Sequence, residues 1–522
     1  MMPGAPDTVT SATGKTNAFS TQNNALAAFL CFLILISSAF HYGRLLGSLE
    51  FSHNDEYLTL DRAGGFLTHQ DSWTVYSENR PSFKKPPLQY YASSVLLRSG
   101  ADIQTATRLP SLVFGLALLV VTGLFARTIL PSNPWVAPMA MLLLASQTAF
   151  WQSSVAALLD AGNVLFSILA LLAMRLALRD PRWWYGVAAA CVAGALQKAP
   201  VPIALVAVAL ATVAAERSLA GAEILPRAAR RHFWPALCLA VGGILAWPLI
   251  ELAQYGRAAF NEFFLVEVAN RFSPLNLVDD EKYTNDSLYK IVFSADAFMR
   301  ATGIAAAVFC AIRFRKLEIA FIPVGILVYI ALSKYTAGNI SIRYFVYFAP
   351  LISIALALTI ACLDLKAVLK VLMVALLSAT SMGPLKSADS LEMKGNISAA
   401  RYHSFLVRFA ERTNPDDTLV FCAMPAAKDL EGPRIRPSAF SFFASKGRTF
   451  ETLRPGDLPA FMARKPAAPA AYRGLCTSAQ FEAFRDRLEG ALVVEREGEY
   501  VHWTSEGSRG DPGTAGQAPA RQ

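Results

Sequence analysis

Long apolar runs separated by short polar segments fill most of the chain and predict a series of membrane-spanning helices. The first run, residues 25–46, is long enough to cross a bilayer, and no small-residue cleavage site follows it, so we expect an uncleaved anchor. The apolar piece 88–97 is too short to cross and is expected to lie along the membrane surface. About eleven spans are predicted, over residues 25–46, 108–129, 134–150, 155–178, 182–197, 199–215, 233–252, 294–312, 317–334, 343–363 and 366–384.

The composition agrees with a protein that crosses the membrane many times. Of 522 residues, 54% are hydrophobic and only 17% are charged, which is too apolar for a soluble chain of this length. The formal net charge is +9, but the basic residues recur in short clusters between apolar runs. This distribution is typical of cytoplasmic loops and argues against a nucleic-acid-binding face.

Four basic clusters set the predicted orientation. With the N-terminus inside, the alternation of spans places all four on the cytoplasmic face, which agrees with the bias of lysine and arginine toward cytoplasmic loops. The opposite face then carries residues 47–107, 253–293 and 335–342, and the chain after residue 385. The clusters are Arg175, Arg179 and Arg182; Arg217, Arg227, Arg230 and Arg231; Arg313, Arg315 and Lys316; and Lys366 and Lys370.

The predicted fold class is an all-α polytopic membrane domain over residues 25–385 with a small α/β domain after it. Residues 1–24 are polar and residues 506–522 are rich in glycine, proline and alanine, so we expect both to be disordered. Residues 391–505 are expected to form the α/β domain outside the membrane. Its predicted elements are an amphipathic helix over 396–411, a strand over 418–423 and strands over 491–503 on either side of Gly498.

The first outer loop, residues 47–107, brings acidic and basic residues close together in the sequence. Asp55 and Glu56 follow the first span, and Lys84 and Lys85 precede a diproline further along the loop. Proline locks its own φ and restricts the residue before it, so the backbone at Lys85 is held extended. A carboxylate that accepts a proton and a cation that holds a phosphate are the two halves of a group-transfer site. An ordinary solvated loop is the alternative.

Other charged or polar residues lie at the same predicted face, near the ends of spans. Charges at membrane depth are costly and usually face a polar cavity or a partner. The alternative for Asp160 and Lys198 is that they merely pair with one another or reach the interface. Several such residues on one face favour a shared site. They are Asp160, Lys198, Glu267, Asn270, Arg271, Arg343 and Tyr344.

Six short motifs follow one another along the predicted membrane domain. They are Asp55-Glu56, Lys85-Pro86-Pro87-Leu88, Arg108-Leu109-Pro110-Ser111, Asp160 at the head of a span, Lys198-Ala199-Pro200 and Arg343-Tyr344. Their order and spacing resemble the polyprenyl-phosphate-dependent glycosyltransferases of the C-type membrane fold. That family includes the aminoarabinose and galacturonic-acid transferases that modify lipid A, and the protein O-mannosyltransferases. The resemblance implies sugar transfer from a lipid-phosphate carrier to an acceptor on the outer face of the bacterial inner membrane.

The resemblance also implies a role for each residue of the site. The leaving polyprenyl phosphate gains negative charge, which Lys85, Arg271 and Arg343 are expected to hold, with a hydrogen bond from Tyr344. Asp55 is expected to face the anomeric carbon as base for an acceptor hydroxyl, or as an orienting charge if the acceptor is a phosphate. Attack opposite the phosphate inverts that carbon. The other expected members are the carboxylates Glu56 and Asp160 and, as further candidates, Lys84, Lys198, Glu267 and Asn270.

The sequence departs from the aminoarabinose-transferase pattern at three places. That pattern has a glutamate before Lys-Pro-Pro and a histidine two residues before Asn-Arg-Phe, and both are associated with a metal. Here the two positions hold Lys84 and Val268. Leu58 replaces an arginine three residues after the expected catalytic aspartate. The resemblance therefore carries no metal and no cofactor to this chain, and the sugar is expected to differ from aminoarabinose.

Cys422 and Cys476 are the two of seven cysteines that fall outside the apolar runs. The resemblance places them in the periplasm, which is an oxidising compartment, so they are expected to pair. Two separate buried thiols are the alternative.

Two other classes of protein compete with the enzyme. A transporter or flippase also places charges at membrane depth, but such proteins often contain internal repeats with interrupted helices, and the sequence contains no such repeat. A structural assembly factor leaves the outer charges without a common role. We therefore predict a monomeric enzyme that binds a polyprenyl-phosphate-linked sugar, an acceptor (lipid A, another glycolipid or a protein) and the bilayer, but no nucleic acid.

Overall fold

The computed structural model describes most of the predicted membrane domain and part of the C-terminal region. The chain divides into two compact units, Met1–Thr59 with Asp71–Val75 and Pro81–Met393, and Leu60–Gln70 with Tyr76–Arg80 and Lys394–Gln522. The described residues are 12–47, 54–69, 72–77, 80–198, 201–219, 221, 223, 225–269, 297–314, 346–381, 408–422, 443, 448, 450–453, 472–478, 481–482, 492–497 and 500–504.

The region before residue 382 is almost entirely helical where it is described. Its α-helices are α1 (Ala12–Gly43), α2 (Asn54–Thr68), α3 (Leu88–Arg98), α4 (Ile103–Ile129), α5 (Val136–Ala145), α6 (Thr148–Val155), α7 (Asp160–Ala177), α8 (Trp184–Gln197), α9 (Val201–Leu219), α10 (Arg227–Tyr255), α11 (Arg257–Phe260), α12 (Ala297–Phe314), α13 (Ala349–Cys362) and α14 (Ala367–Ser381). A short 3₁₀-helix covers Pro181–Trp183, a π-helix covers Asn261–Ala269, and two-residue strands β1 (Tyr76–Ser77) and β2 (Arg80–Pro81) pair between α2 and α3.

Among the described residues, five helices are long and apolar enough to cross a membrane: α1 over Gln22–Gly43, α4, α7, α9 and α10. The helices α5, α13 and α14 are apolar but shorter. The structure is therefore that of a multi-pass membrane protein, as predicted. The predicted span 317–334 lies outside the described residues, and the total of about eleven spans stays a prediction.

Several helix boundaries differ from the predicted spans. Helix α1 begins at Ala12, although we expected disorder up to residue 24. The predicted span 134–150 is broken between α5 and α6, because the Ser146 hydroxyl donates to the Leu143 carbonyl at 3.0 Å and Gln147 adopts an extended backbone. The first outer loop also contains α2, whose first turn carries Asp55 and Glu56.

Small residues allow the helices around the linker between α6 and α7 to approach closely. A Cβ at Gly115 of α4 would lie 2.3 Å from the Ser154 Oγ of α6, and a Cβ at Gly162 of α7 would lie 2.6 Å from the Gln197 Nε2 of α8. Small residues at such contacts are typical of helix packing in membranes. The surrounding core consists of fully buried aliphatic side chains such as Leu118, Leu143 and Val164.

The C-terminal region forms a mixed sheet, in which the described strands are five. They are β3 (Thr418–Cys422), β4 (Phe450–Leu453), β5 (Tyr472–Thr477), β6 (Leu492–Glu497) and β7 (Tyr500–Thr504), in the order β4-β3-β5-β7-β6. The first three strands are parallel, whereas β7 runs antiparallel to both β5 and β6. The strands expected within 418–423 and 491–503 are confirmed. Of the predicted helix 396–411, residues 396–407 lie outside the described part.

The sheet packs around one buried tryptophan. Trp503 is fully buried and its Nε1 donates to the Cys476 Sγ at 3.0 Å. Gly474 faces the indole so closely that a Cβ there would lie 1.8 Å from the Trp503 Cε2. Cys476 of β5 is joined by a disulfide to Cys422 of the neighbouring strand β3, which confirms the predicted pairing.

Candidate functional site

The polar side chains singled out by the sequence converge on the α6–α7 linker, residues 156–159, which is not helical. Its backbone groups therefore lack helical hydrogen-bond partners, and side chains from other elements satisfy them. The Thr59 hydroxyl of α2 donates to the Ala157 carbonyl at 2.9 Å, and the Ala157 amide donates to the Glu56 Oε1 at 3.2 Å. These two bonds hold the first turn of α2, which carries Asp55, against the linker that leads to Asp160.

Glu56 is engaged in a buried, two-point ion pair. Arg108 Nε donates to its Oε1 at 2.8 Å and Arg108 Nη2 donates to its Oε2 at 3.4 Å, and both residues are almost completely buried. The same guanidinium donates to the Leu46 carbonyl at 3.1 Å and the Leu45 carbonyl at 3.4 Å, so it also fixes the chain after α1. Since both Glu56 oxygens are bonded, this geometry points to a structural role, in contrast to the catalytic role expected from the sequence.

Asp160 occupies the first turn of α7, where the positive end of the helix dipole favours a carboxylate. It is buried and forms an ion pair with the Lys198 Nζ, at the end of α8. The Tyr347 hydroxyl donates to the Asp160 Oδ1 at 3.4 Å, just before α13. The alternative considered for Asp160 and Lys198, that they pair with one another, is therefore what the structure contains.

Two buried glutamines lie directly beside these residues. Gln89, on the first turn of α3, donates from Nε2 to the Ser111 Oγ at 2.9 Å and to the Leu158 carbonyl at 3.3 Å. Gln197, the last residue of α8, donates from Nε2 to the Gln89 Oε1 at 2.5 Å and to the Leu159 carbonyl at 3.2 Å. The sequence analysis did not identify either amide, because a single polar residue within an apolar run carries no periodic signal.

Lys84 and Lys85 lie on the short segment that leads into α3, and both are half-buried, as is Asp55. The amide of Phe83 donates to the Glu262 Oε2 at 3.0 Å, and the Phe83 ring packs against Tyr255 with 5.1 Å between ring centroids. The segment before the two lysines is thus anchored on the end of α10 and on the π-helix.

The remaining predicted site residues are not available for comparison. Asn270, Arg271, Arg343 and Tyr344 lie outside the described residues, and Glu267 is described only as part of the π-helix backbone. Among the described residues, no group of three or more histidine, cysteine, aspartate or glutamate side chains is arranged to hold a metal ion.

The chain is similar over nearly its whole length to solved membrane glycosyltransferases of the C-type fold, and the predicted fold is confirmed. ArnT from Cupriavidus metallidurans bound to undecaprenyl phosphate matches with a TM-score of 0.63 and 15% identity, covering 95% of this chain and 98% of that one. The apo state of the same ArnT matches with a TM-score of 0.62 and 13% identity over the same shares of both chains.

A more distant structure shares part of this fold. The Archaeoglobus fulgidus oligosaccharyltransferase in complex with zinc and sulfate matches with a TM-score of 0.50 and 12% identity, covering 87% of this chain and 69% of that one. No protein-family model and no curated protein sequence matches the chain.

Proposed function

We propose that the protein is an integral membrane glycosyltransferase that moves a sugar from a polyprenyl-phosphate carrier to an envelope acceptor. The observation that carries the proposal is the likeness to ArnT, which extends over 95% of this chain and 98% of the other. That relative holds undecaprenyl phosphate, which indicates the class of carrier. The acceptor is lipid A or lipopolysaccharide, another glycolipid or a protein, and transfer takes place on the periplasmic face of the bacterial inner membrane.

Asp55 is the proposed base. The acceptor hydroxyl oxygen forms a bond to the anomeric carbon while its proton passes to the Asp55 carboxylate. The bond between that carbon and the phosphate oxygen breaks, and the polyprenyl phosphate leaves with the electron pair. Because attack and departure occur on opposite sides, the anomeric carbon is inverted. If the acceptor is itself a phosphate, no proton moves and Asp55 acts as an orienting charge.

The leaving phosphate needs positive charge at the moment the bond breaks. Lys85 is the proposed cation on the described side, because its segment is anchored through the Phe83 amide and the Glu262 carboxylate. Arg271, Arg343 and Tyr344 complete the proposed phosphate site. Lys84, Glu267 and Asn270 remain further candidates for contacts with the donor.

Asp160 and Lys198 act as a pair in this proposal. A carboxylate that is already matched by a buried ammonium and a tyrosine hydroxyl suits the positioning of sugar or acceptor hydroxyls better than it suits proton transfer. Glu56 serves the site indirectly, since its ion pair with Arg108 and its bond to Ala157 hold the helical turn that presents Asp55.

The proposed topology has a cytoplasmic N-terminus, about eleven spans and the 391–505 domain in the periplasm. The positions of the four basic clusters support this orientation. We propose that the protein acts as a monomer and that the C-terminal α/β domain covers the periplasmic side of the site. A reporter fused after residue 390 tests the topology, since it should be active only when the reporter works in the periplasm.

The experiment that tests the proposed function uses the purified protein in lipid nanodiscs. Polyprenyl-phosphate sugars are supplied one at a time, and release of the polyprenyl phosphate is measured together with the mass of the glycosylated acceptor. Mass spectrometry of envelope glycolipids and glycoproteins from a deletion strain identifies the natural acceptor class. A transporter or flippase, the alternative class, moves the donor between leaflets without breaking its glycosidic bond. Donor movement without cleavage would therefore replace the proposal.

A further inference from the structure

Gln89 and Gln197, which we name the amide pair, form one continuous hydrogen-bonded unit in the core of the described helices. Both side chains are fully buried, and the Gln197 Nε2 donates to the Gln89 Oε1 at 2.5 Å. They come from different elements, the first turn of α3 and the last residue of α8. The bond therefore joins two segments that are 108 residues apart in the sequence.

The amide pair holds the backbone that leads into Asp160. Gln89 donates to the Leu158 carbonyl at 3.3 Å, and Gln197 donates to the Leu159 carbonyl at 3.2 Å. The Ser111 hydroxyl adds a bond of 3.0 Å to the same Leu158 carbonyl. Buried carbonyls outside a helix need such partners, and each bond also fixes the position of the α6–α7 linker.

Each member of the amide pair is also close in sequence to a charged residue of the proposed site. Gln89 follows Lys85 by four positions, across a diproline that leaves the intervening backbone little freedom. Gln197 immediately precedes Lys198, the partner of Asp160. The pair thus connects the segment of Lys85, which we assign to the donor phosphate, with the ion pair that we assign to the sugar or acceptor.

We propose that Gln89 and Gln197 are positioning residues that set the placement of Lys85 relative to Asp160. The inference rests on the proposed function, because it assigns both ends of this connection to one reacting complex. Neither glutamine takes part in bond making. Their effect is geometric, and transfer reactions are sensitive to geometry, since a displacement of about 1 Å can lower a rate by about 100-fold.

A buried glutamine that only supports the fold provides the matched control. Gln147, at the start of α6, donates from Nε2 to the Ser353 Oγ at 2.7 Å and to the Ala349 carbonyl at 3.2 Å. It is buried like the amide pair, but its bonds connect α6 to α13 instead of to the α6–α7 linker. Loss of this amide should weaken the fold without moving Lys85 or Asp160.

The experiment compares Gln89→Met, Gln197→Met and Gln147→Met in nanodiscs, with a polyprenyl-phosphate sugar that the wild type accepts. Methionine is unbranched like glutamine, so it fills the space without the amide. For Gln89→Met and Gln197→Met we expect kcat per mole of folded protein to fall by about 10–100-fold, with the donor KM changed less than about threefold. The double variant should be about as slow as either single variant, because each amide acts through the other.

The control separates this role from general support of the fold. Gln147→Met should lower the melting temperature by a similar amount while kcat stays within about twofold of wild type. If Gln89→Met does not accumulate, Ser111→Ala removes one bond to Leu158 and should lower kcat by a smaller factor, about 3–10-fold. Wild-type kcat in Gln89→Met, or in Ser111→Ala when Gln89→Met does not accumulate, overturns the positioning role alone. If the wild type cleaves no polyprenyl-phosphate sugar, the proposed function fails and this inference fails with it.

Discussion

Glu56 and Arg108 form a buried ion pair across 52 residues of sequence, with the nearest nitrogen and oxygen 2.8 Å apart. The pair fastens the first turn of α2 to α4. The adjacent residue, Asp55, remains half-buried and is the carboxylate that we assign to the chemistry. Two neighbouring acids in the sequence thus have different surroundings, which gives each a different proposed role.

The ion pair predicts a loss of stability when either partner is removed alone. Arg108→Met leaves the Glu56 charge buried without its main partner, which typically costs about 3–5 kcal/mol of unfolding free energy. The double variant Glu56→Leu with Arg108→Met should recover much of this loss, because neither charge is then buried. Thermal melting of the detergent-solubilised protein provides the measurement. Glu56→Gln that melts like wild type but no longer transfers sugar would return Glu56 to the catalytic group.

The Asp160–Lys198 pair gives a second prediction, in which stability and activity fall together. Lys198→Met leaves the Asp160 carboxylate buried without its ammonium partner, so the melting temperature and the transfer rate should both decrease. Tyr347→Phe removes one long hydrogen bond of 3.4 Å, so its effect on stability should be smaller, about 1 kcal/mol or less. A Tyr347→Phe variant that is less stable than Lys198→Met would contradict this order.

The apolar runs identified the principal membrane helices from sequence, because a span needs about 20 apolar residues and few other structures provide them. The break between α5 and α6 was not predicted. It depends on Gln147, whose partner Ser353 is 206 residues away, and no local pattern reports such a contact.

The same limit applies to the site. The order of the motifs drew attention to Asp55, Lys85 and Asp160, since charged residues near span ends are costly and therefore informative. The roles of Glu56 and Gln89 depend on partners that only the folded chain brings together. A pattern along the sequence can locate a charge, but it does not reveal which groups neutralise or bond it.

The C-terminal sheet should lose stability in mild acid because of His502. Burial, with smaller contributions from Arg473 and Arg412, lowers the pKa of His502 to about 3. The unfolded chain has the ordinary histidine pKa of about 6.5, so below that pH the unfolded state binds more protons than the folded state. Stability is therefore lost as the pH falls from about 6.5 toward 3, by about 2 kcal/mol at pH 5.

Hydrogen exchange of peptides covering residues 492–504 measures this effect in the full-length protein. His502→Leu should remove the pH dependence, since both ring nitrogens of His502 are buried without a hydrogen-bond partner among the described residues. Leucine therefore replaces the ring without leaving a polar group unmatched. Equal protection of wild-type β7 at pH 7 and pH 5 would show that His502 is not the group responsible.

The disulfide between Cys422 and Cys476 predicts a definite labelling pattern. The five cysteines that the structure leaves free should react with a maleimide in denatured, unreduced protein, and all seven should react after reduction. Because the bridge closes a loop of 54 residues, its loss should destabilise the sheet by up to about 4 kcal/mol. Seven labels before reduction would mean that the two thiols are separate.

The central claim, that the protein transfers a sugar with Asp55 as base, is tested most directly by the rate of sugar transfer in Asp55→Asn. Asparagine keeps the shape of the side chain but cannot take a proton, so kcat should fall by about 10²–10⁴-fold. The melting temperature should stay close to wild type, whereas Lys85→Ala should instead raise the donor KM, because it removes a cation from the carrier phosphate. Near-wild-type transfer by Asp55→Asn in nanodiscs, at equal amounts of folded protein, would contradict the account and leave Asp160 as the better candidate.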